Sequence, residues 1–112
     1  MPVPTRLQKA WDDASKFLEE DNDPESSLDA LRNAWDEIEN EAQRAKTLSL
    51  AADAGTELGL KDQKSQKAHW QKAYKNYSRA ISIDPKNKET RRKMNKLASM
   101  MDEKAISLGI GF

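Results

Sequence analysis

The chain has 112 residues, no cysteine, one histidine and zero formal net charge, 19 Lys/Arg balancing 19 Asp/Glu. Without cysteine there is no disulfide, thiol nucleophile or thiolate metal site. No apolar run approaches the ~18 residues that span a bilayer and no signal-peptide pattern follows Met1, so no membrane partner and a cytoplasmic setting are expected.

Apolar residues make up 37% of the chain and charged residues 34%. So polar a chain folds if its apolar residues lie on stripes, because a surface helix buries only one face. The charges are unevenly placed. Residues 1–45 hold 5 Lys/Arg and 12 Asp/Glu, and residues 46–112 hold 14 and 7. Such a dipole can orient an encounter with a partner.

In chain order, Leu7, Trp11, Ala14 and Leu18 stripe a first helix. Asp23 is placed to cap a second and Pro24 to open it, with Leu28, Leu31, Trp35 and Ile38 as its stripe. A boundary is expected near Asn40. Ala45, Leu48, Ala52 and Leu58 mark a third helix, with Gly59 as its expected end. Trp70, Ala73, Tyr74, Tyr77, Ala80 and Ile81 form the dense stripe of a fourth, which Asp84-Pro85 stops. Asn87 can cap a fifth, with Glu89 favourable to its dipole and Met94, Leu97, Met101, Ala105 and Leu108 along it. The expected fold is all-α, about five helices with antiparallel neighbours.

The stretch Tyr77-Ser78-Arg79-Ala80-Ile81-Ser82-Ile83-Asp84-Pro85-Lys86-Asn87 resembles the end of a tetratricopeptide repeat (TPR). Ala73, Tyr77, Ala80 and Pro85 match the small, large, small and proline positions of the repeat's second helix. Residues 8–41 lie on the 34-residue repeat without a gap, with Trp11, Ala14, Ser15, Leu18, Ser27, Leu31 and Ala34 at suitable places and Glu39 where proline is usual. Leu48, Ser49 and Ala52 suit a second unit, which carries about 12 extra residues. The resemblance implies one helical domain over 1–112: a TPR-like hairpin at 5–41, a second, lengthened hairpin at 42–85, a closing helix at 86–108 and a tail at 109–112. A generic five-helix bundle needs the same stripes.

No catalytic, cofactor or metal site is expected. His69 has no second base or nucleophile at a telling spacing. Asp12-Asp13, Glu19-Glu20 and Asp36-Glu37 are neighbours on helices and do not share a face. Asp21-Asn22-Asp23 lacks the spacing, glycine and closing Glu of a calcium loop, and the four glycines form no phosphate loop. Trp70, Tyr74 and Tyr77 interleave with Lys67, Lys72, Lys75 and Arg79 like a base-stacking platform, but their spacing of four and three puts them on one stripe with Ala73 and Ile81, and core packing is the expected use.

The TPR resemblance implies peptide or helix binding in a groove lined by the first helix of each pair. It places Lys9, Asp12, Lys16 and Glu19 there from the first unit, and Gln43, Lys46, Leu50 and Asp53 from the second. Glu89, Arg92, Lys93, Lys96 and Ser99 come from the closing helix. The carboxylate clamp of chaperone-binding TPR domains falls on Asp12, Lys16, Thr47, Glu89 and Lys93, with acids at two cation places, so that subclass is not implied. Lys46, Leu50, Arg92, Lys93 and Lys96 are the expected partner-binding residues, with Leu50 an exposed apolar spot among cations. The expected partner is an acidic protein segment; nucleic acid on the basic half, or another copy of the chain, remain alternatives. The ending Ile106–Phe112 alternates apolar residues with Ser and Gly and suits an extended segment from about Leu108, either folded on the core or docking on a partner.

The core reading of the aromatic stripe predicts that Tyr77→Ala costs roughly 3–5 kcal/mol through an unfilled cavity. Thermal melting checks it: an unchanged melting temperature would place Tyr77 at the surface.

Overall fold

The computed structural model describes residues 2–108, in which α1 (Thr5–Glu19), α2 (Pro24–Asn33), α3 (Glu41–Lys61), α4 (Gln66–Ile83) and α5 (Lys88–Glu103) make an all-α fold. Three helices start where a side chain satisfies an N–H of the first turn. Asp23 accepts from Ser26 N at 3.1 Å, Asn40 from Gln43 N at 2.9 Å and Asn87 from Thr90 N at 3.0 Å. Pro24 stands at the first position of α2, where its missing N–H has no helical partner to lose. Asp84, just before Pro85, closes α4.

Contacts fix the helix directions. Ser27 Oγ donates to the Ala14 carbonyl at 2.9 Å, so α2 folds back on α1. Gly59 faces Trp70 and Gly55 faces Ala73, so α4 folds back on α3. The indole N–H of Trp11 donates to Thr47 Oγ1 at 2.9 Å, and the Lys61 ammonium meets the Asn22 carbonyl beyond the far end of α1. These pairs place α1 parallel to α3. Ser49–Thr90 (3.1 Å) and Asp53–Lys93 (2.9 Å) do the same for α5. Thus α1, α3 and α5 run in one direction and α2 and α4 in the other.

Two main clusters form the core. Leu7, Ala10, Trp11, Ala14, Leu31 and Ala34 join α1 to α2. Ala52, Trp70, Ala73, Tyr77, Leu97 and Met101 join α3, α4 and α5. Trp70 is 1% exposed and Tyr77 2%, so the aromatic stripe is core and not a stacking platform.

Several sequence expectations need correction. α3 does not end at Gly59 but runs on to Lys61, because that glycine is a contact and not a stop. α2 ends at Asn33, so Trp35 falls in a 3₁₀ turn (Trp35–Glu37), is 37% exposed, and has the Arg44 guanidinium 5.5 Å from its ring centroid instead of core neighbours. α5 ends at Glu103, five residues short of Leu108; Ala105 adopts φ 54° there, and Ile106 and Leu108 return to the second cluster as non-helical chain. The expectations for Ile110–Phe112 lie outside the described residues.

The α3–α4 seam is closely packed at its two glycines. A Cβ at Gly59 would stand 2.3 Å from the Trp70 indole, and one at Gly55 would stand 3.1 Å from Ala73 Cβ. Alanine in a helix gains about 1 kcal/mol over glycine, whereas overpacking a core costs about 1–3 kcal/mol. Gly59→Ala is therefore expected to lower stability by about 1 kcal/mol or more, and Gly55→Ala to change it by less than about 0.5 kcal/mol. Urea unfolding of both variants measures this; a Gly59→Ala protein at least as stable as the parent would mean that Trp70 does not rest on Gly59.

Candidate functional site: the cleft between α1, α3 and α5

Where α5 diverges from α1 and α3, a cleft of about 400 Å³ opens to solvent. α3 contributes Asp53, Thr56, Glu57 and Leu60, at helical spacings of three, one and three, all on one face. α5 contributes Arg92, Lys93, Lys96, Leu97 and Met100 in the same way. Leu18 and Glu19 come from the last turn of α1, and Tyr77 of α4 closes the bottom. Apolar side chains thus form the floor and charges stand along the walls. Leu60 is 45% exposed, with Trp35 one of two exposed large apolar side chains among the described residues.

At the bottom, the Tyr77 hydroxyl donates to Asp53 Oδ1 and the Lys93 ammonium donates to Oδ2 of the same carboxylate at 2.9 Å. One carboxylate therefore joins three helices. Burial, the Asp53 charge and the hydrogen bond to it all disfavour the Tyr77 phenolate and push its pKa far above the ordinary value near 10. Arg92 turns back along α5, its Nη2 2.7 Å from Glu89 Oε1. That hydrogen bond holds the Glu89 carboxyl below, and the Arg92 guanidinium above, their usual ranges. Both groups are exposed, so the pair is screened and weak. Lys96, Glu19 and Glu57 form no ion pair among the described residues.

Of the five expected partner-binding residues, the structure brings Arg92, Lys93 and Lys96 together on the cleft wall, with Lys93 tied to Asp53. Lys46 and Leu50 share the α3 face but lie one to two turns away and outside the cleft lining. Lys46 is exposed with its ammonium 4.6 Å from the Trp11 ring centroid, a cation–π geometry. Leu50 is half-buried and packs on the α1–α2 cluster, which corrects the exposed apolar spot expected there. Gln43, also expected in a groove, is 4% exposed and its side-chain carbonyl accepts from Glu39 N at 2.8 Å. Thr47 is equally buried, between Trp11 and the Gln43 carbonyl.

Glu57, Leu60 and Met100 were not expected in the site. The signal for the first two was present, since positions 46, 50, 53, 57 and 60 make one unbroken stripe at spacings of four and three. Reading Gly59 as a helix end cut that stripe short. His69 sits at the α3–α4 corner, its Nε2 3.2 Å from Asp62 Oδ2, and that hydrogen bond holds the Asp62 carboxyl below its usual range. Among the described residues no three His, Asp or Glu side chains converge on a metal-sized site, and no helix is long and apolar enough to cross a membrane.

Compared with protein-family models, curated proteins and solved structures, the chain matches none.

The Tyr77–Asp53 contact gives the protein an alkaline limit. A phenol whose pKa is raised by folding stabilises the fold fully below its unfolded value near 10, and that contribution is lost as pH climbs above it. Stability measured by denaturant unfolding is expected to fall with rising pH above about 10 in the parent. Tyr77→Phe should remove this part of the dependence and cost about 1 kcal/mol at neutral pH for the lost hydrogen bond. An identical alkaline profile in Tyr77→Phe would show that the phenol does not contribute.

Proposed function

We propose that the protein is a non-catalytic protein–protein interaction module, a cytoplasmic scaffold or adaptor of the TPR-like kind, which holds a peptide or partner helix with acidic character in the cleft between α1, α3 and α5. The observation that carries this reading is the cleft itself. It combines an apolar lining of exposed Leu60, half-buried Leu18 and Met100 and buried Leu97 with the α5 cations Arg92 and Lys96 beside it. An apolar floor with a charged rim is the composition of a protein-binding surface. The parallel course of α1, α3 and α5 in front of α2 and α4 supports the comparison with TPR-like hairpins, whose first helices line a groove. The small Ser27, Ala73 and Ala80 at the helix crossings support it too.

A second reading rests on the charge layout. Residues 66–104, which hold α4 and α5, carry 11 Lys/Arg and 4 Asp/Glu, while residues 5–40 carry 4 and 11. The basic layer suits nucleic acid, and the two layers together suit head-to-tail self-assembly. Arg92→Glu with Lys96→Glu tests the basic surface that these readings share, because both residues are exposed and the change spares the core, and nuclease treatment separates them. Partners captured by the parent from nuclease-treated extract are expected to be lost with this variant. Partners that vanish on nuclease treatment alone, with affinity falling steeply in salt, would move the function to nucleic acid. Light scattering at low and high salt reports self-assembly.

A further inference from the structure

The cations of the cleft stand on one wall only. Exposed Arg92 and Lys96 come from α5, whereas the exposed carboxylates Glu19 and Glu57 come from α1 and α3. Lys93 and Asp53 neutralise each other at the bottom. Arg92 also pairs with Glu89, but in an exposed and screened bridge, and Lys96, Glu19 and Glu57 form no ion pair among the described residues, so these four lining groups set the sign of each wall. A uniformly acidic segment would satisfy α5 and be repelled by Glu19 and Glu57. The lining residues of α3 run from 53 to 60 and those of α5 from 92 to 100, about 10–12 Å at 1.5 Å per residue. That length accommodates two turns of a helix whose apolar side chains at i, i+3 or i+4, and i+7 meet the floor. Met100 adapts to such a surface because its side chain is unbranched.

We propose that the cleft takes an amphipathic helix with acidic side chains along one edge of its apolar stripe and basic side chains along the other, and that the oppositely charged walls set the direction in which this helix lies. The proposal rests on the cleft being the binding site. Reversing a helix in a groove while keeping its apolar face down exchanges its left and right edges. In one direction both edges face opposite charge, and in the other both face like charge. The walls thus discriminate between two poses that the apolar floor alone accepts equally.

Three 15-residue peptides with the same leucine stripe test this by titration of the amide resonances of the full chain at low salt. One carries Glu on the left edge and Lys on the right, the second exchanges the edges, and the third carries Glu on both. Each mixed peptide is expected to bind about tenfold more tightly than the all-Glu peptide, since two extra favourable contacts are worth that much together. A nitroxide at the peptide N-terminus should broaden amides at the Lys46 end or the Leu60 end of α3, which are about 21 Å apart. The other mixed peptide should broaden the opposite end. In the variant Glu19→Lys with Glu57→Lys, checked by circular dichroism for an intact fold, the all-Glu peptide should become the tightest binder.

An all-Glu peptide that binds the parent as tightly as the mixed ones, or broadening at both ends, would overturn the inference and leave the cleft as a binding site. No shift of cleft amides with any peptide would remove the binding reading as well. Dimers in sedimentation that Glu19→Lys with Glu57→Lys dissociates would assign the cleft to a second copy and overturn the partner helix.

Discussion

The approach of α3 to α4 at Gly55 and Gly59 sets the geometry of everything around it. With no side chain on Gly59, the Trp70 indole lies against the α3 backbone and its N–H reaches the Thr56 carbonyl at 3.0 Å. This distance is set by backbone contact and so tolerates little change; interiors packed at crystal density transmit a shift instead of absorbing it. Two turns along, the same closeness lets the Tyr77 hydroxyl reach Asp53 across the seam. Asp53 in turn holds Lys93 and, through it, α5. The depth of the cleft therefore follows from two missing side chains on a helix that, apart from Ala42 and Leu60, hides or half-hides its apolar residues.

Much of this architecture was legible in the sequence because its causes are local. Asp23, Pro85 and Asn87 act within one turn of themselves, and their effects were read correctly at the ends of α2, α4 and α5, whereas the boundary near Asn40 was expected from helix length alone and the cap itself was not read. The stripe of Trp70, Ala73, Tyr77 and Ala80 marked a buried face, and it is buried. Where the outcome depended on a partner distant in sequence, the reading failed. Gly59 has the chemistry of a helix end, and only the arrival of Trp70 makes it a close-packing site instead. Leu50 has the spacing of a groove residue, but its neighbours across the chain are the α1–α2 cluster. Trp35 continues an apolar period after the helix that would carry it has stopped.

The charge layout belongs to a different length scale. Residues 41–65, which contain α3, carry four acidic and four basic side chains, and lie between an acidic α1–α2 layer and a basic α4–α5 layer. The ion pairs that join exposed side chains run along single helices, as in Lys9–Asp13 and Arg92–Glu89, or stay within the acidic layer, as in Arg6–Glu37, and do not link the layers. Such pairs contribute little to stability. A field separated by roughly the thickness of one helix is partly screened at physiological ionic strength, where the Debye length is about 8 Å. Under the proposed function the layers would therefore act at contact range, on a ligand lying in the cleft.

That placement divides the three α5 cations by role. Lys93 is two-thirds buried and its charge is committed to a carboxylate that also accepts from Tyr77, so an acidic ligand could engage it only by leaving Asp53 partly unpaired beneath the floor. Removing one partner of a half-buried polar pair costs more than the pair contributes. Lys96 forms no ion pair among the described residues, and the bond of Arg92 to Glu89 lies on an exposed face where water competes with it. Under the proposed function, Arg92 and Lys96 are thus the cations free to meet a partner while Lys93 holds the wall they stand on, and the difference in burial between them is the reason.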